Sequence, residues 1–148
     1  MLTLKESMEL AGRHLLGLLA PAYGYLPYWM MAFDQDNRAE WQMVWPAHNV
    51  GRWWDAMLRL EAATGFPIPP QVEERMLKNL KACLDNPLGV CGNLMPRDGL
   101  ASVVDPAGWF DEHSQREILL ALSGLARWRA YPWTAELGSQ MVRAIRTM

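Results

Sequence analysis

The stretch WPAHNVGRWWDAMLRLEAATG, residues 45–65, decides how the chain is read. It predicts one helix over 46–64. Pro46 sits in the first turn, where a missing N–H costs nothing, and Gly65 marks the stop. Four polar side chains, His48, Arg52, Asp55 and Arg59, fall four, three and four residues apart and so share one narrow stripe. The remaining surface is apolar nearly all round, with Val50, Trp53, Trp54, Met57, Leu58 and Leu60. A helix of that kind is sheltered on several sides, which makes it an inner helix of a larger all-α body.

The composition bounds what such a body does. With 148 residues the chain is long enough for one domain with a real core. A net charge of −2 and no basic run leave no electrostatic footprint for nucleic acid, and no basic amphipathic helix points to a membrane surface. Lys5, Glu6, Glu9 and Arg13 interrupt any signal-peptide core, and no apolar run is long enough to span a bilayer. The expectation is a soluble, cytoplasmic protein. Cys83 and Cys91 lack metal-ligand or redox spacing and read as free thiols. Eight tryptophans are many for this length. Core filling is their first reading, and stacking on planar or sugar ligands the second.

Outward from the central helix the chain alternates. A first helix over 4–19 carries Leu4, Met8, Ala11, Leu15, Leu18 and Leu19 on one stripe. A third, over 70–84, is again one-sided, with Val72, Met76, Leu80 and Cys83 along one face. A fourth, over 112–129, has a continuous apolar middle at 118–122 and reads as sheltered like the second. A fifth follows Tyr131 and Pro132, with Thr134 as its expected N-cap. The connections 20–45 and 85–111 are long, and connections of that length are often functional. The second admits a small β-hairpin, although periodicity does not decide it. If neighbouring helices are antiparallel, both long connections fall at one end of the body. A shift of 65 residues lays His48 on His113, Ala56 on Ala121 and Leu60 on Leu125. Each unit is then a long connection, an inner helix, a short turn and an outer helix.

Inner helices covered by outer ones are the plan of an (α/α) toroid. Three segments, HNVGRWWDAMLRLEAATG (48–65), LDNPLGV (84–90) and WFDEHSQREILLALSGLARW (109–128), resemble the opening hairpins of the six-hairpin glycosidase superfamily. Within it they are similar to bacterial relatives of the β-L-arabinofuranosidases. The resemblance implies a partial (α/α) toroid of about five antiparallel helices, a single domain over 1–148 that forms the N-terminal part of a larger (α/α)6 barrel. It implies a carbohydrate-active protein of glycoside hydrolase type, incomplete for catalysis as it stands. It also implies a sugar site on the face that carries the long connections.

That face would carry Trp45, His48, Trp109, Asp111 and His113 as substrate-binding candidates, with Asp34, Asp36, Trp41, Asp98 and Asp105 nearby. Aromatic rings stack on sugars, and His, Asp and Arg bond the hydroxyls. Hydrolysis calls for two carboxyl groups, and the spacing identifies no pair. Competing structural readings stand beside these roles. His48 and His113 serve equally as capping or core histidines, and Asp111 as the N-cap of the fourth helix. Asp55 pairs with its flanking arginines, and Trp53 and Trp54 belong to the core. Asp34 and Asp36 form a D-x-D without further ligands, so no metal and no cofactor is expected. In the arabinofuranosidase relatives the catalytic Glu and Cys lie beyond these hairpins, and neither role passes to Cys83 or Cys91.

The expected partner is a carbohydrate ligand. The competing reading is a non-enzymatic helical module that forms a homo-oligomer through exposed apolar faces. A toroid around an apolar, terpenoid-like ligand is a third option, but the Asp-rich motif of that class is missing.

Overall fold

The structure is a computed structural model. It describes residues 1–27, 30–33, 39–42, 46–92, 94–97, 100–103 and 112–147, with backbone alone for strand residues after 28 and for Pro46. Asp34, Asp36, Trp45, Asp98, Asp105, Trp109 and Asp111 lie outside the described residues.

The fold is all-α. Five helices are described: α1 (Leu4–Gly17), α2 (Pro46–Thr64), α3 (Pro70–Leu84), α4 (Glu112–Trp128) and α5 (Pro132–Ile145). The long connections carry three two-stranded antiparallel hairpins. These are β1 (Leu19–Ala20) with β2 (Leu26–Pro27), β3 (Met30–Phe33) with β4 (Ala39–Gln42), and β5 (Leu94–Arg97) with β6 (Leu100–Val103). The last is the hairpin that the sequence admitted. The two in the first connection were not expected, and β1 and β2, at two residues each, are too short to show a period.

Local chemistry sets the helix ends. Thr3 caps α1: its Oγ1 accepts the Glu6 N–H at 3.2 Å, while the Glu6 carboxylate accepts the Thr3 N–H at 2.7 Å. This reciprocal capping box satisfies two otherwise orphaned donors. Gly65 ends α2 at φ +78°, a left-handed conformation that costs glycine nothing. The cap expected at Thr134 is corrected. Tyr131 caps α5 and Pro132 opens it, while the Thr134 hydroxyl donates back to the Tyr131 carbonyl at 2.6 Å.

α2 is the centre. Val50, Trp53, Trp54, Met57, Leu58 and Leu60 are all buried. Each aliphatic side chain so buried contributes about 1.5–3 kcal/mol. The two indoles, expected in the core, each donate to a neighbour's backbone: Trp53 Nε1 to the Leu15 carbonyl and Trp54 Nε1 to the Met76 carbonyl, both at 3.2 Å. Trp53 thus meets the end of α1, while Leu60 meets Gly12 nearer its middle. α1 therefore runs antiparallel to α2. Of its expected stripe Met8, Leu15, Leu18 and Leu19 are buried or half-buried, joined by Gly12 and Leu16, while Leu4 and Ala11 are corrected to exposed positions.

α4 lies beside α2 and parallel to it. His48 meets His113, Gly51 meets Glu117, and Leu58 meets Gly124. A Cβ on Gly51 would stand 2.5 Å from the Glu117 carbonyl carbon, so the backbones touch there and only glycine fits. The offset of these pairs follows the 65-residue shift. α4 is not sheltered all round, as its apolar middle predicted. Ile118, Ala121 and Leu125 are buried, but Arg116, Leu120 and Ser123 on the opposite side are exposed. Counting apolar residues does not reveal on which side neighbours stand.

At the end of the short turns, Arg129 bridges two helices. Its Nε donates to Glu73 at 2.8 Å and its Nη2 to Glu61 at 2.5 Å, and the Tyr131 hydroxyl donates to Glu73 at 3.3 Å. The bonds to Glu73 lead in raising the Arg129 pKa.

Candidate functional site

The N-termini of the parallel helices α2 and α4 meet at the opposite end. His48 is 7% exposed, and its ring stands edge-to-face with that of exposed His113, centroids 6.1 Å apart. One turn further along each helix, Arg52 Nε lies 3.6 Å from Glu117 Oε1. The same oxygen accepts from Arg116 Nε at 3.1 Å and from Arg116 Nη2. Glu117 is buried, while Arg52 and Arg116 remain half-exposed. The seam between α2 and α4 is thus polar for two turns at this end and becomes apolar towards Leu58 and Gly124.

Both long connections are fixed to the helices here. The Gln115 side chain grips the Cys91 backbone at two points: Oε1 accepts its N–H at 2.8 Å and Nε2 donates to its carbonyl at 2.9 Å. The Gly92 N–H donates to the Cys83 carbonyl at 2.7 Å. Asn79 Nδ2 donates to the Gly24 carbonyl at 2.8 Å, which ties the first connection to α3. The backbone stays left-handed through Gly24 and Tyr25, at φ +66° and +64°. A tyrosine there is strained, and the Tyr25 N–H donates to Ala20 at 2.9 Å.

Of the candidates named from sequence, the structure brings His48 and His113 together. Trp45, Trp109 and Asp111 lie outside the described residues. Asp55 binds Arg59 Nε through both oxygens, at 2.8 and 2.9 Å, as an ion pair within one helix. Arg52 turns away from it to Glu117. Sequence reasoning missed Glu117 and Gln115. The repeat held the signal for the first: Glu117 follows His113 by four residues as Arg52 follows His48.

Chemically the rim offers imidazole rings, two half-exposed guanidinium groups and the positive ends of two helix dipoles. This is a hydrogen-bonding surface. Both cysteines are free and buried, and burial pushes the Cys83 thiol well up, so it is no nucleophile. Among the described residues no group of three or more His, Cys, Asp or Glu side chains is placed to hold a metal ion. Nor, among them, is any helix long and apolar enough to cross a membrane. Comparison with protein-family models, curated proteins and solved structures returned no match for this chain.

Proposed function

We propose that the rim where α2 and α4 begin binds carbohydrate, and that the chain is a helical-hairpin unit of the (α/α)-toroid glycoside hydrolase kind. The observation that carries this reading is the meeting of His48 and His113 at the end from which both long connections lead. Parallel inner helices, each followed by an antiparallel outer one, are what a toroid sector requires.

On this reading His113, Arg52 and Arg116 donate to sugar hydroxyls, and Glu117 orients the two guanidinium groups. Binding without turnover is expected, because Glu117 is engaged by two arginines and the described rim pairs it with no second carboxyl group.

The test is a titration with a panel of oligosaccharides, read by backbone and imidazole NMR shifts. Saturable shifts at His113 and Arg52 are expected. Replacing either by Ala should weaken binding by about tenfold, the worth of one hydrogen bond. Shifts confined to other faces, or none across the panel, would refute the site. Glycosidase turnover by this chain alone would refute the claim of binding only.

A further inference from the structure

Among the described residues, no element covers the side of α4 turned away from α2. Leu120 is 38% exposed there, and Val142 on adjacent α5 is 44% exposed. Shallow depressions run along this side, one beside Glu112, Arg116 and Leu120, the other between α4 and α5. We propose that this face is a two-fold dimer interface, occupied by the same face of a second copy of the chain with α4 antiparallel to α4. The face lies away from the His48–His113 pair but takes up Arg116, and a copy seated there competes with any further toroid hairpin on α4.

The first argument is that the stripe is complementary to itself. Glu112, Arg116, Leu119, Ser123 and Arg127 follow one another at spacings of three or four, so they share a side. Glu112 and Arg127 are exposed at opposite ends of the helix, about 22 Å apart at 1.5 Å per residue. A two-fold axis through the middle of α4 sets each Glu112 opposite the copy's Arg127. The midpoint of these two positions falls between Leu119 and Leu120, the apolar middle of the stripe. The same midpoint sets Arg116 opposite Ser123, a long side chain over a short one. An isologous contact has this property: one surface, met by its own copy, supplies both members of the Glu112–Arg127 pair.

The second argument weighs against the rival occupant, another hairpin docked on α4 as α4 docks on α2. That packing depends on Gly51, where any Cβ would strike the Glu117 backbone. The position 65 residues further on is Arg116, on the open face. A parallel helix cannot come equally close there. Ser123 and Ala126 on α4, with Gly138 and Ser139 on α5, instead leave room for a helix that crosses the middle of the stripe.

Sedimentation velocity from micromolar to near-millimolar concentration tests this. The expected result is a shift from a 16.9 kDa monomer to twice that mass. Leu120→Arg should keep the helical circular dichroism and hold the chain monomeric. Glu112→Arg and Arg127→Glu should each weaken association by about tenfold, and the two together should restore it. A chain that stays monomeric throughout overturns the proposal. So does a dimer indifferent to Leu120→Arg, or one whose two charge reversals fail to compensate.

Discussion

Gly51 and Gly17 are both helical glycines, yet their surroundings differ completely. A Cβ on Gly51 meets the Glu117 backbone at 2.5 and 2.7 Å, whereas one on Gly17 meets nothing within 4 Å. Backbone cannot yield as a flexible side chain can, so Gly51→Ala should separate α2 from α4 and cost about 2–4 kcal/mol. Gly17→Ala should instead be neutral or stabilise by about 0.5–1 kcal/mol, through helix propensity. Urea unfolding of both variants gives the comparison, and a Gly51→Ala midpoint equal to that of the unmodified chain would sink the claim of backbone contact. Nothing in the sequence separates these two glycines. Their difference lies in contacts with residues 66 positions away or with none. Glu117 was signalled only by the repeat, in which it stands where Arg52 stands. It looks like one more surface charge on a helix until Arg52 is seen to reach it from another element.

Helices were far more legible than single contacts, because their signals are local. Pro46 with Gly65, and Pro70 with the apolar stripe that ends at Leu84, place α2 and α3 at their observed bounds. The errors arose where local signals compete or run out. Thr134 is a good cap by type, but Pro132 two residues earlier had already opened α5. α4 carries enough apolar residues to look enclosed, yet one side has no neighbour among the described residues. The capping box of α1 gives a test at this scale. The Glu6 pKa is lowered by its hydrogen bonds to the Thr3 backbone and side chain. A carboxyl group with a depressed folded pKa stabilises the helix start above its ordinary value of 4.5, and that contribution is lost as pH falls through the folded value. Amide hydrogen exchange at Glu6 and Ser7 should therefore show the first turn fraying below pH 4.5, once the intrinsic pH dependence of exchange is divided out. Glu6→Gln should fray independently of pH. Equal pH dependence in both would mean the box contributes nothing.

At the level of the whole molecule, two hairpins are laid side by side: α2 with α3, and α4 with α5. α2 and α4 are parallel and 65 or 66 residues apart in register. This rhythm was readable from loop lengths, and it placed His48 and His113 at one rim before any contact was known. The ion cluster of Arg129 with Glu61 and Glu73 locks the other end, opposite the polar rim where α2 and α4 begin. The carbohydrate reading and the repeat both depend on that parallel pairing. A nuclear Overhauser spectrum of the imidazole ring protons in the unmodified chain probes it without any substitution. Cross-peaks between His48 and His113 are predicted from rings 6.1 Å apart, edge-to-face. Cross-peaks from His48 to Trp128, at the other end of α4, with none to His113, would contradict the parallel pairing and remove the rim.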